Sequence, residues 1–301
     1  DAVKNAELVI EVVPEIMELK KSVYAELDKV AGPEVIFASN TSTLPITEIA
    51  NTTSRPEKFI GIHFFNPPQL MKLVEVIPGE KTSQAITDLT QEYVKSVNKV
   101  SVLCRKDVPG FIINRLFIPM VHEACFLKNR TGATLEEIDS AVKFKLGFPM
   151  GIFELADFTG MDVIHKATVE MHLRDKKVIN PHPLVEKMFE DKKLGHKSGE
   201  GYYKYSDDKY ERVALSEELA EKCDPIQIVA NILNNAAWLV SNGASDIEEI
   251  EKAAQLGLGL KKPLFETAKE IGIKKIVDEL NKLADEHGEF YRPDPLLISM
   301  Q

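Results

Sequence analysis

Two hydrophobic rhythms divide this chain. Leu8-Val9-Ile10-Glu11-Val12-Val13 is a short apolar run closed by Pro14-Glu15, the pattern of a strand buried on both faces of a parallel sheet. Ile16 to Val30 then sets Leu19, Val23, Leu27 and Val30 on one helical face, and Val35 to Ser39 is again apolar and strand-like. Residues 8–39 therefore predict one βαβ unit. Lys58 to Ile62 and Leu73 to Ile77 read as two more strands, joined by Phe64 to Lys72. That connection is too short for a parallel crossover, so the two strands should lie antiparallel as neighbours. A helix from Ser83 to Ser96 and a strand from Val100 to Cys104 follow.

At Lys106-Asp107-Val108-Pro109-Gly110 the pattern breaks, which marks a domain boundary. Beyond it the periodicity is almost wholly helical: Phe111 to Lys128, Thr134 to Phe144, Met161 to His172 and Pro183 to Glu190. A repeat emerges further on. Gly147, Phe153 and Glu154 recur as Gly259, Phe265 and Glu266, and Glu137-Ile138 recurs as Glu249-Ile250, at one common offset. Three regions are expected: an α/β domain over 1–106, a helical domain over 107–206, and a second copy of that domain over 224–301. The copies should pack on one another. Positions 114 and 115 are Asn and Arg in the first copy, whereas Ile226 and Gln227 stand in the second. The first copy is thus the functional candidate and the second its packing partner.

Composition narrows the function classes. The chain has 301 residues, 44% of them apolar and 28% charged, with a net charge of -10. Such a balance argues against a general nucleic-acid or anionic-membrane surface and leaves room for one local basic pocket. No apolar run reaches the ~18 residues of a membrane span. Cys104, Cys125 and Cys223 lie far apart, without metal-ligand spacing. No metal is expected, and a reducing, cytoplasmic setting is.

The candidate chemistry gathers in Gly61 to Glu75, where His63, Asn66 and Glu75 fall within one hairpin-like segment. Glu75 sits in the middle of an apolar strand, where a carboxylate is costly to bury without a partner. An imidazole is the natural partner, and the carboxylate would fix its tautomer and stabilise its protonated form. A core histidine and an unrelated edge-strand glutamate fit the same spacing. Ser42 and Thr43 stand at the carboxyl end of a parallel strand, where α/β sheets bind ligands; they fit equally as caps for the helix at Ile46. Asn114 and Arg115 either satisfy backbone groups or face a cleft. The glycine-rich Gly195 to Tyr203 follows no strand and is not read as a phosphate loop.

Six motifs occur in an order known from one family. SNTSTLPI (Ser39 to Ile46), HFFNP (His63 to Pro67), MKLVEVI (Met71 to Ile77), KDVPGFIINR (Lys106 to Arg115), GFPMGIFELADFTGMD (Gly147 to Asp162) and GHKSGEGYYKY (Gly195 to Tyr205) resemble the L-3-hydroxyacyl-CoA dehydrogenases. The end of the second copy, Phe290 to Leu297, resembles the matching end of multifunctional fatty-acid oxidation proteins. The resemblance implies a Rossmann-type NAD domain followed by an all-α domain, and oxidation of a 3-hydroxyacyl-CoA to the 3-ketoacyl-CoA. It implies His63 as catalytic base, Glu75 as its orienting carboxylate, and Ser42 and Asn114 as holders of the substrate oxygen. Asn66 matches an amide beside both cofactor and substrate. Glu15 and Lys20 match residues near the cofactor ribose and nicotinamide, and Ser42 also borders the cofactor. An acyl-CoA substrate, an intramolecular pseudo-dimer or homodimer, and fusion to or association with an enoyl-CoA hydratase are the implied partners.

One departure stands out. The family begins with a strand, a G-x-G-x-x-G turn and a helix that bind the pyrophosphate, and no such turn occurs in these residues. Gly257-Leu258-Gly259 lies in the second copy without a third glycine or a preceding strand. The expectation is an N-terminally incomplete nucleotide domain, an unpaired sheet edge, weak NAD binding, and slow turnover or none. An inactive or structural relative of the same fold is the alternative reading.

Overall fold

The computed structural model describes residues 3–206 and 209–301. They form two compact units: the residues up to Ile112 together with Asn242–Gly257, and Ile113–Ser241 together with Leu258–Gln301.

The first unit is a five-stranded sheet. Its elements run β1 (Leu8–Glu11), α1 (Met17–Val30), β2 (Ile36–Ser39), α2 (Ile46–Ala50), β3 (Phe59–Phe64), β4 (Leu73–Pro78), α3 (Gln84–Ser96) and β5 (Val100–Leu103). Spatial order follows chain order. β1, β2 and β3 are parallel, β4 is antiparallel to β3, and β5 is parallel to β4. Among the described residues β1 pairs with β2 alone and forms one edge.

Alternation assigns the two faces. Ile36, Ala38, Ile60, Ile62, Val74, Val76 and Val94 of α3 make one buried cluster. On the other face Tyr24 of α1 packs edge-on to Phe59 at 4.6 Å between ring centroids and donates to the Ala38 carbonyl at 2.7 Å. Burial, with the charge of Glu11 added, drives the Tyr24 phenol far above its usual pKa. Gly61 lies on this same face beneath α2. A Cβ there would stand 2.7 Å from Ile46 Cδ1, so only glycine lets α2 lie on β3.

The second unit is helical: α4 (Ile113–Thr131), α5 (Leu135–Phe144), α6 (Ile152–Thr159), α7 (Met161–Arg174), α8 (Pro183–Glu190), α9 (Glu217–Ala220) and α10 (Ile226–Ser241). α11 (Ile247–Gly257) belongs to the first unit, and α12 (Leu264–Ile271), α13 (Ile273–His287) and α14 (Pro295–Ser299) complete the second. The repeat is visible helix by helix, since α6, α7 and α8 recur as α12, α13 and α14 in the same order. Gly160 and Gly272, which separate the corresponding helix pairs, both have φ of 100°. His182 and Asp294 each cap the helix that follows, accepting from Leu184 N–H and Leu296 N–H.

α10 packs on α4. Arg115 of α4 stacks over Trp238 of α10, 3.3 Å from the ring centroid. Arg130 bridges Glu123 at 2.6 Å, Gln227 at 2.9 Å and the Tyr291 hydroxyl at 2.8 Å. Burial nevertheless pushes the Glu123 carboxyl up to about 7.

The segment that the repeat assigns to the second copy is divided. Asn242–Gly257 lies with the sheet, where Glu249 accepts from Leu103 N–H at 2.7 Å and Ala244 O accepts from Arg105 N–H at 2.7 Å. The Arg105 guanidinium also pairs with Asp246 at 2.5 Å. These contacts cover the β5 side of the sheet.

The first helix of the second unit starts later than its periodicity suggests. Gly110 and Phe111 have φ of 79° and 51°, left-handed values that an α-helix cannot contain. The helix therefore begins at Ile113. The glycine-rich loop is a strap: Asp157 accepts from Tyr202 N–H at 2.8 Å, Tyr203 N–H at 2.9 Å and the Tyr205 hydroxyl at 2.8 Å.

Candidate active site

The β3–β4 register sets His63 directly opposite Glu75. Directly paired residues of antiparallel strands share a face, and here it is the Gly61 face. His63 Nδ1 lies 2.6 Å from Glu75 Oε2. The imidazole is 5% exposed and the carboxylate fully buried. With Nδ1 engaged by the carboxylate, Nε2 is the nitrogen that can exchange a proton. The ring of Phe65 lies 4.4 Å from the imidazole and that of Phe111 6.2 Å, which excludes water from its flanks.

Glu75 is held as well as holding. Its Oε1 accepts from Ile112 N–H at 3.0 Å. The left-handed Gly110-Phe111 turn aims that N–H inward. A buried carboxylate without such partners would cost several kcal/mol.

A second polar cluster lies at the carboxyl ends of β1 and β2. Lys20 is 1% exposed. Its ammonium reaches Glu11 Oε1 at 2.8 Å, the Val13 carbonyl at 3.1 Å and Glu15 Oε2 at 3.3 Å. Three acceptors match its three protons. Glu11 also accepts from Ser39 Oγ at 2.8 Å and Val13 N–H at 2.6 Å. Glu15 is partly exposed and turns Oε1 toward Thr41–Thr43, accepting from Ser42 N–H at 2.8 Å.

Ser42, half-buried, thus sits in a loop tied to Glu15, and Asn66 is exposed just beyond β3. Asn114 belongs to the second unit, where it is half-buried in the first turn of α4. The structure therefore unites His63 with Glu75, and Glu15 with both Lys20 and Ser42. Three participants were missed by sequence reasoning. Asn40 Oδ1 accepts from Phe64 N–H at 2.8 Å, next to His63; its place just past a buried strand was the available signal. Glu11 showed itself only as an acid within an apolar run. The Ile112 N–H left no trace, because a backbone donor has no side-chain signature.

The model of the 3-hydroxyacyl-CoA dehydrogenase NAD binding domain matches residues 1–108, and that of the 3-hydroxyacyl-CoA dehydrogenase C-terminal domain matches 110–205 and 227–301. The mitochondrial hydroxyacyl-coenzyme A dehydrogenase of Rattus norvegicus is 45% identical over 205 residues, 67% of this chain and 65% of the rat protein. The chain thus spans slightly under two thirds of that relative. The crystal structure of 3-hydroxybutyryl-CoA dehydrogenase from Escherichia coli K12 superposes with a TM-score of 0.86 at 26% identity, covering 99% of this chain and 82% of that one. The dehydrogenase part of multifunctional enzyme 1 from C. elegans gives a TM-score of 0.63 at 26% identity, covering 100% and 73%.

Proposed function

The chain belongs to the 3-hydroxyacyl-CoA dehydrogenase family, and on that premise we propose that it catalyses the reversible, NAD-dependent oxidation of an (S)-3-hydroxyacyl-CoA to the 3-ketoacyl-CoA. The observation that carries the reading is the buried His63–Glu75 pair, 2.6 Å apart on one face of the sheet.

In the oxidising direction His63 Nε2 takes the proton of the substrate 3-hydroxyl. Bound NAD supplies the acceptor for the C3 hydride. Proton removal and hydride departure must be coordinated, because either alone leaves a high-energy alkoxide or oxocarbenium. Glu75 stabilises the imidazolium that forms and keeps Nδ1 as the protonated nitrogen before transfer. Ser42 and Asn114 are assigned to the substrate oxygen and Asn66 to the amide contact between cofactor and substrate. In the reducing direction protonated His63 gives its proton back.

The carboxyl ends of parallel strands are where such folds bind dinucleotides. The donors and acceptors there, Glu15, Ser42 and Asn66, suit the polar nicotinamide-ribose half of the cofactor. Glu15 is taken as the member of its pair at the cofactor surface, with Lys20 behind it. An enoyl-CoA hydratase, whose product is the substrate proposed here, is the implied neighbour in reaction order. The packing of α4 on α10 supports a pseudo-dimer within one chain.

The test is acetoacetyl-CoA-dependent oxidation of NADH, with NADH binding followed separately by fluorescence. Slow turnover with weak NADH binding is expected. Bound NADH without any turnover would instead favour a relative that keeps the fold and not the reaction.

A further inference from the structure

We propose that Glu15 is a positioning residue that acts through Ser42, and that the loop Asn40–Thr43 is a brace fixing the Ser42 backbone relative to the His63 strand. This deepens the dehydrogenase reading and rests on it.

Four donors converge on one carboxylate oxygen. Glu15 Oε1 accepts from Thr41 Oγ1 at 2.5 Å, Ser42 N–H at 2.8 Å, Thr43 N–H at 3.2 Å and Thr43 Oγ1 at 3.4 Å. Successive backbone N–H groups turned toward one anion form a nest, and here a side chain of the chain itself fills it. Thr41 Oγ1 closes the loop on itself by accepting from Leu44 N–H at 2.9 Å. The backbone on both sides of Ser42 is therefore fixed from a residue 27 positions earlier in the chain.

Lys20 fixes Glu15 in turn. Its buried ammonium stands between Glu15 Oε2 and Glu11 Oε1. A carboxylate serving only as an acceptor for a ligand hydroxyl has no need to turn one oxygen inward onto the loop and the other onto a buried lysine.

The loop is gripped on its other side too. The β2–β3 backbone pairing ends at Ser39 and Gly61. Asn40 Oδ1 continues it by accepting from Phe64 N–H, one residue past His63. Glu15, the Ser42 loop and the His63 strand are thus linked by these hydrogen bonds and the backbone between them. Ordering of this kind matters because transfer rates fall steeply when reacting groups shift by an ångström or so.

The experiment compares Glu15→Ala, Ser42→Ala and the double variant in acetoacetyl-CoA reduction, with NADH binding by fluorescence and amide exchange at Ser42 and Thr43. Glu15→Ala is expected to lower kcat at saturating NADH about tenfold, apart from any weakening of NADH binding that its place at the cofactor surface brings. Both amides should exchange faster, and kcat should fall no further when Glu15→Ala is added to Ser42→Ala. Glu15→Gln, which keeps the side-chain length and one acceptor oxygen, should recover part of the loss. Multiplicative losses in the double variant overturn the proposal, as does weakened NADH binding with unchanged exchange. An unsubstituted protein with no turnover defeats the dehydrogenase reading instead; accelerated exchange in Glu15→Ala then still upholds the brace, and unchanged exchange overturns it.

Discussion

Ile112 N–H donates to Glu75 Oε1 at 3.0 Å, while the other oxygen of the same carboxylate lies 2.6 Å from His63 Nδ1. The orienting acid is thus held by a backbone donor that the left-handed Gly110-Phe111 turn delivers. That arrangement makes the pair rigid and places its charge where an imidazolium forms.

Removing the base tests this most directly. His63→Gln is expected to lower kcat by roughly 10²–10⁴, the usual share of a general acid–base group. NADH affinity should hold, because the imidazole is assigned to the proton and not to the cofactor. Glu75→Gln should also lower kcat, since the amide no longer stabilises the imidazolium. Steady-state kinetics beside NADH fluorescence check both, and near-normal turnover in His63→Gln would remove His63 from the mechanism.

Gly61→Ala should destabilise the sheet. The added methyl would stand 2.7 Å from Ile46 Cδ1 and 2.9 Å from its Cγ1. Overpacking of a tight core costs about 1–3 kcal/mol. Thermal melting should show a lowered Tm, and Ile46→Val in the same chain should recover part of it by removing Cδ1.

Arg130→Met should cost more than Glu123→Gln. Glu123 is 1% exposed, and among the described residues Arg130 and the Tyr291 hydroxyl offset its burial. Leaving a buried carboxylate without its cation costs about 3–5 kcal/mol, whereas replacing that carboxylate by a neutral amide removes the charge. Urea unfolding of the two variants gives the comparison; equal losses would mean the charge is not the issue.

Stability should fall on acidification through His122. Burial, aided by the charges of His182 and His165, holds this imidazole down to about 3. His182 N–H donates to Nδ1 at 2.9 Å, and Thr168 Oγ1 lies 2.8 Å from Nε2. The unfolded chain takes up a proton near pH 6.5 that the folded one refuses. The stabilisation is therefore complete above about 6.5 and is lost as pH falls toward 3, by at most about 1.4 kcal/mol per pH unit. Asp139, pushed up to about 7 by burial, acts in the opposite sense, favouring the folded state at low pH and losing that effect as pH rises through 7. The informative quantity is thus the difference between the protein and His122→Gln in urea midpoints at pH 7 and pH 5, where the variant should show the smaller acid loss.

Some of this architecture follows from local pattern. The antiparallel neighbours β3 and β4 follow from a connection too short for any other pairing, and their period of two puts His63 and Glu75 on one face whenever the register aligns them. The helical repeat is legible because Gly147, Phe153 and Glu154 recur at one offset as Gly259, Phe265 and Glu266. The cleanest cases, α6 and α12, begin and end at equivalent residues.

Other features are invisible in a one-dimensional reading. Glu15 and Lys20 match family positions near a cofactor, yet nothing in their spacing tells that Lys20 is fully buried between two acids, or that Glu15 fills a nest made by residues 41–43. The nest contacts join positions more than twenty residues apart. Asn242–Gly257 repeats a helical module and nevertheless packs against β5, because Leu103 N–H and Arg105 N–H at the sheet edge need acceptors that Glu249 and Ala244 supply. Alternating apolar positions and short connections determine which strands and helices form and which face is buried, since these are local consequences of periodicity and chain length. Which buried charges meet, and which backbone donor completes the His63–Glu75 pair, depends on long-range packing, because a polar group in the interior takes whatever partner the folded chain brings within reach.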